Sequence, residues 1–281
     1  MREAKFSPSE LVGNVLAALI DEQIMKFFLF PILLLTLVTC GKDPARKSSQ
    51  KKQDVSALYA ANKLNIKVYY EEGAEPYTDK IPVLNVELWQ LLRNNLDALF
   101  EGRSTEIIVP GTLSEMTKMS PYHKASWSME DVISLAKSHS IPKQDGTQHF
   151  QIFFLNGYAD NDPGVIGFHI SNTNIMALFK DVIKSTSLAV GPVDLVPKYV
   201  EQATLIHEMG HALGLVNNGL PMQEKHQDKE HGAHCSNPDC VMYYSNEGKD
   251  SMIKFARNAS EKLSTVMFDS QCLEDSRKFK K

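Results

Sequence analysis

The sequence predicts an α+β domain, and three observations carry that expectation. Short apolar runs of strand character alternate with amphipathic helical segments between residues 64 and 179. A longer, far more apolar helical segment follows at residues 200–215. The chain beyond its polar N-terminal stretch, roughly 225 residues, is the size of one large domain or two small lobes.

In chain order, residues 64–70 read as a first strand. Residues 86–100 form an amphipathic helix whose apolar stripe is Leu88, Leu91, Leu92, Leu96, Leu99 and Phe100. A second strand at 106–109, a second helix at 129–138 and a third strand at 150–155 come next. Residues 165–170 and 174–179 read as two more strands. The segment 200–215 carries Val200, Ala203, Leu205, Ile206, Met209, Ala212, Leu213 and Leu215. It is too apolar for a solvated surface helix and is expected at the centre of the domain.

Polar side chains in such a helix need partners. Here they are His207, Glu208 and His211. Two histidines four residues apart share one helix face, about one turn apart, so their imidazoles can converge on one metal ion. Zn²⁺ is the usual ion at this spacing. Glu208 stands beside them, where a carboxylate can take a proton from water held on the metal. Those residue types in that order point to peptide-bond hydrolysis. A surface helix with two ordinary histidines and a solvated glutamate is the plainer alternative, and the apolar context argues against it. Gly214 supplies a stop for the helix three residues past His211.

Residues 234–244 run His-Cys-Ser-Asn-Pro-Asp-Cys-Val-Met-Tyr-Tyr. The pattern His-Glu-x-x-His-x-x-Gly followed by this run resembles the metzincin clan of zinc peptidases. Val241-Met242-Tyr243-Tyr244 looks like the clan's Met-turn, and His-Cys-x4-Cys-x-Met is similar to a run in the archaemetzincin branch. The resemblance covers residues 66–244, with its specific motifs between His207 and Tyr244. It implies a metzincin-like zincin: a mixed, mainly parallel sheet with the active-site helix in an upper lobe, over a small irregular lower lobe. It also implies a zinc held by His207, His211 and His234, Met242 as an apolar floor, and Tyr244 as a donor to the oxyanion. A core role for Tyr244 is equally open.

The departures from the family pattern matter. The third ligand of the clan falls at Asn217, a neutral and poor zinc ligand. With His234 in that role, residues 217–233 become an insertion, and His226, His231 and Asp228 within it remain open as alternatives. Five of the nine histidines lie between residues 207 and 234. Archaemetzincins complete a second zinc site with a further Cys-x-x-Cys. This chain has no such pair, so one Zn²⁺ per chain is expected.

Residues 27–38 form an apolar run preceded by Met25-Lys26 and followed by Leu37-Val38-Thr39-Cys40-Gly41. The run is too short to span a bilayer and reads as a secretory signal. The cysteine after it resembles a bacterial lipobox, with Cys40 lipidated, although Thr39 departs from the usual small residue. The expected organisation is an upstream, mis-assigned extension at 1–24, a lipoprotein signal peptide at 25–40, a flexible tether at 41–60 and the metallopeptidase domain at 61–281. Residues 41–54 are rich in Lys, Ser and Gln and cannot bury a core. With Cys40 committed, Cys235, Cys240 and Cys272 remain. Cys235 with Cys240 is the expected disulfide in an oxidising compartment, with Cys272 able to displace either.

A net charge of −4 with mixed signs speaks against a nucleic-acid partner. The expectation is a monomeric zinc endopeptidase, lipid-anchored to the bacterial cell envelope, periplasmic or surface-exposed, acting on a peptide or protein. Two rival classes stand beside it. One is a non-hydrolytic, zinc-containing lipoprotein that works as a binding or adhesion module; the other is a structural envelope protein whose histidines buffer metal.

Overall fold

Nine-residue strands at Lys63–Glu71 (β1) and Thr147–Leu155 (β7) form the spine of a six-stranded sheet. Both alternate buried positions and then become buried throughout, as strands covered on both faces do. In the computed structural model the described residues are 52–81, 85–187 and 195–280, all within the unit Gln50–Lys281.

The elements follow in order: α1 (Ser56–Tyr59), β1, β2 (Lys80–Ile81), β3 (Val86–Glu87), α2 (Trp89–Leu99), β4 (Glu106–Ile108), β5 (Thr117–Met119), β6 (Ser126–Trp127) and α3 (Met129–Ser138). Then come β7, β8 (Tyr158–Ala159), β9 (Gly167–His169), β10 (Ile175–Phe179), α4 (Lys180–Lys184), α5 (Val196–Ala212), α6 (Lys249–Glu261) and α7 (Ser270–Lys278). The sheet order is β4-β1-β7-β10-β9, with β5 continuing the β1 edge beyond β4. Every pairing within this sheet is parallel except β9 with β10. The fold is thus mixed and mainly parallel, as expected, and each of the eight elements read from the sequence has its counterpart.

Local chemistry sets several of these boundaries. Ser128 caps α3 in a reciprocal capping box with Asp131. The α5 helix ends at Gly214 (φ +76°), with Leu215 N–H reaching back to Gly210 O at 3.1 Å. Buried Glu71, closing β1, accepts from Tyr122 N at 2.6 Å and Asn156 N at 3.0 Å, so one carboxylate ties two loops at that end of the sheet.

The expected tether reaches too far into the chain. Residues 52–60 are packed: Val55, Leu58 and Tyr59 are buried, and Gln53 Nε2 donates to Ala212 O at 2.7 Å, capping the C-terminus of α5. The polar composition that reads as a tether supplies helix-capping groups instead. The signal at 25–40, Cys40, the 1–24 extension and the tether before residue 52 lie outside the described residues. Among the described residues no helix is long and apolar enough to cross a membrane.

Candidate metal centre and active-site cleft

The α5 helix lies buried beside β9, β10, α2 and α6, and its motif residues meet a hairpin made by the expected insertion. That hairpin closes through a Gln227–Cys235 bridge and Asp228 N–H to His234 O at 2.8 Å. It delivers His234 to the motif. The rings of His207, His211 and His234 stand 4.7, 4.8 and 5.3 Å apart, centroid to centroid. One nitrogen from each lies within 4.8 Å of the others, a spacing that fits a shared metal ion.

Second contacts orient the rings. His207 Nδ1 donates to Val241 O at 2.7 Å and His234 Nδ1 to His231 O at 2.6 Å, which leaves Nε2 of each as the metal-facing nitrogen. His207 Nε2 and His211 Nε2 are 3.1 Å apart. Burial, then the neighbouring His207 and His234, push the His211 imidazole well below its usual pKa, so it is held neutral, as a ligand must be. Three converging imidazoles suit Zn²⁺.

A relay of backbone bonds holds this geometry. Buried Asn95 of α2 accepts from Met267 N at 2.8 Å, Met267 O accepts from Val241 N at 2.9 Å, and Val241 O receives His207. Met242, next in the chain, is fully buried against Gly210, the residue directly before His211. A Cβ on Gly210 would lie 2.3 Å from Met242 Sδ and 3.1 Å from Phe268 Cε1. Gly210→Ala is therefore expected to lower stability by about 1–3 kcal/mol through overpacking, read from the urea midpoint. An unchanged midpoint would mean that Met242 swings aside without cost.

His211 and His234 open onto a cavity of about 410 Å³, lined also by Glu208, by Gly167, Phe168 and His169 of β9, and by the hairpin tip. Glu208 is buried at its wall. Tyr244 is not among the lining residues; its ring is stacked on His231, which is. The other ligand candidates have different partners. Asn217 accepts from Lys52 Nζ and donates to Gln227 Oε1, Asp228 pairs with His231 at 2.8 Å, and His226 points into a separate cluster.

That cluster overturns one expectation. Cys235, Cys240 and Cys272 are all free thiols, so the expected Cys235–Cys240 disulfide is not formed. Cys235 and Cys272 converge on His226: Nδ1 lies 3.4 Å from Cys235 Sγ and 3.9 Å from Cys272 Sγ, with Cys240 Sγ 3.6 Å from Cys272 Sγ. Such spacings match the edges of a tetrahedron around Zn²⁺, with bonds of about 2.0–2.3 Å. His226 Nε2 bonds buried Asp275 at 2.8 Å, which directs Nδ1 at the thiols. Hydrogen bonds from Cys240 and Cys272 hold the Cys235 thiol well below its usual pKa. Asp269 belongs to the group whose donor atoms, with those of His226, Cys235 and Cys272, all lie within 4.8 Å of one another: its Oδ2 lies 3.4 Å from Cys235 Sγ and takes Asn237 Nδ2 at 2.8 Å, and its Oδ1 takes Cys272 N–H at 2.8 Å. A second zinc-capable donor set is thus present without a Cys-x-x-Cys. No local sequence signal marks Asp275, which lies 49 residues from its histidine.

The chain matches no protein-family model and no curated protein. Among solved structures it is similar to a zinc-dependent peptidase from Methanocorpusculum labreanum, at 12% identity and TM-score 0.43, covering 76% of this chain and 100% of that one. It is also similar to an archaemetzincin from Methanopyrus kandleri (15%, TM-score 0.40, covering 77% and 94%). An archaemetzincin from Archaeoglobus fulgidus, complexed with malonate, shows 16% identity and TM-score 0.36, covering 74% and 99%. These scores describe a coarse likeness; the metal-holding residues are assigned from the distances above.

Proposed function

We propose that this chain is a zinc-dependent peptidase of metzincin type, carried on the bacterial cell envelope by a lipid at Cys40. The convergence of His207, His211 and His234, the last two lining one open cavity with Glu208, carries the reading. The apolar run at 27–38 and Cys40 support the anchor. When bound, Zn²⁺ supplies the Lewis acidity that polarises a carbonyl and acidifies water. The three Nε2 atoms would hold it. Glu208 takes a proton from the attacking water, whose oxygen adds to the carbonyl carbon. As the C–N bond breaks, Glu208 delivers that proton to the departing amine nitrogen. Met242 serves as the floor beneath the ligands.

A peptide substrate suits the cleft. The β9 strand ends the sheet order and lines the cavity, so an extended chain can lie along its outer edge and pair with its backbone. The test is hydrolysis of dye-quenched casein by the full chain, with and without a zinc chelator. Chelator-sensitive cleavage supports the reading. Tightly bound zinc without cleavage of casein or a random peptide mixture favours the non-hydrolytic binding module, and several weakly held metals favour the metal-buffering protein.

We propose a second, structural zinc at Cys235, Cys240, Cys272 and His226. Cys272→Ser is expected to remove one of two zinc ions and to lower Tm by about 10 °C, by elemental analysis and calorimetry. Unchanged zinc content and Tm would rule that centre out.

A further inference from the structure

We infer that Gln227 is the positioning residue for His234, and that a directed relay Lys52–Asn217–Gln227–Gly232 ties that ligand to the segment 52–60. This rests on the metal centre proposed above. It gives a role to Asn217, which stands where the family pattern has its third ligand. Gln227 grips His234 from both sides. Its backbone bridges Cys235, the next residue in the chain, and its Nε2 donates at 2.6 Å to the carbonyl of Gly232, two residues before His234. Gly232 turns the hairpin at φ +78°, and Gly232, Ala233 and His234 all line the cavity.

The relay has one direction. Lys52 Nζ can only donate, and it bonds Asn217 Oδ1. Asn217 therefore presents Nδ2 to Gln227 Oε1, at 3.1 Å. Gln227 in turn presents Nε2 to Gly232 O, which can only accept. The two ends thus fix the orientation of both amides. A charged donor at the head strengthens the bonds that follow.

The same N-terminal residues hold the end of α5. Gln53 N–H donates to Asn218 O at 3.2 Å, and Gln53 Nε2 to Ala212 O at 2.7 Å. Asn218 Nδ2 reaches His211 O at 3.3 Å. Residues 52 and 53, the helix end bearing His211 and the hairpin bearing His234 therefore share one network. A ligand carried on a hairpin keeps its place only while the hairpin does, and such supporting bonds are worth about 10–100-fold in metal affinity.

The test times zinc release to a coloured chelator from the full chain, for wild type, Asn217→Asp, Gln227→Glu and Asn217→Asp/Gln227→Lys. His234→Ala identifies the zinc of this site as the one it lacks. Asn217 sits at φ +63°, a conformation that asparagine and aspartate both tolerate. The aspartate keeps the bond to Lys52 but cannot donate to Gln227. The glutamate still accepts from Asn217 but cannot donate to Gly232. In the double variant the lysine offers donors to both the aspartate and Gly232 O. Every variant is expected to keep wild-type zinc content and a Tm within about 3 °C of wild type. The His234-dependent zinc should leave about tenfold faster in each single variant, and the double variant should recover at least about threefold of that. Release within about twofold of wild type in either single variant, no recovery in the double variant, or faster release in step with a fall in Tm overturns the assignment and leaves the metal centre standing. Wild type without His234-dependent zinc overturns the metal centre itself, and this inference with it.

Discussion

Glu208→Gln will keep its zinc and lose hydrolysis, with kcat falling by about 10²–10⁴-fold. Glutamine preserves the shape of the side chain and its place at the wall of the cavity. It has no carboxylate to take the proton from water and none to return to the leaving amine. Because the proposed metal ligands are His207, His211 and His234, the substitution leaves that set intact. The measurement pairs zinc content with kcat on dye-quenched casein. Wild-type kcat in a zinc-replete variant would remove Glu208 from the mechanism, and loss of zinc with activity would make it a ligand.

Lys180→Met will destabilise the fold by about 3–5 kcal/mol, a fall in Tm of about 10–15 °C for a chain of this size. Lys180 is 1% exposed and Glu201 is fully buried; Lys180 Nζ bonds Glu201 Oε2 and lies 3.2 Å from the centre of the Tyr77 ring. Glu201 also accepts from Tyr77 N at 2.8 Å. The pair pins α5, two turns before the zinc motif, to the end of the central sheet. Removing the lysine leaves a carboxylate in the core with one backbone partner. Burial raises the Glu201 pKa to about 7 against the opposing pull of Lys180, so without the lysine it rises further. A raised folded-state pKa confers stability that is present at low pH and is lost as pH climbs through it. The deficit of Lys180→Met should therefore grow between pH 5 and pH 9, relative to Lys180→Met/Glu201→Leu, which should regain most of the stability. Equal urea midpoints for the two variants at every pH would contradict this account.

How much of this was legible beforehand depended on how far apart the interacting residues lie. Local patterns were readable: α3 occupies residues 129–138, as its periodicity and the Ser128 cap require, and the His207–His211 pair follows from helix geometry. Long-range convergence was not. His234 reaches the motif through a hairpin that no single-chain pattern distinguishes from a surface loop, so Asn217, His226, Asp228 and His231 stayed open beside it. The thiol cluster misled for a related reason. Cys235 and Cys240 are close in sequence, yet their partners, His226 and Cys272, come from the facing arm of the hairpin and from α7. The segment 52–60 failed differently, since its polar side chains read as solvated and turn out to cap and cover α5. Lys180 gave no warning at all, because a buried lysine in a short helix looks like any exposed one until Glu201 is placed beside it.

The most direct test is zinc stoichiometry of the purified, folded chain, wild type beside His234→Ala and Asn217→Ala. The prediction is two zinc ions in wild type, one at each donor set, with one lost in His234→Ala and none in Asn217→Ala. Zinc retained in His234→Ala but lost in Asn217→Ala, or no bound zinc in the wild type, would contradict the metal centre on which the proposed activity rests.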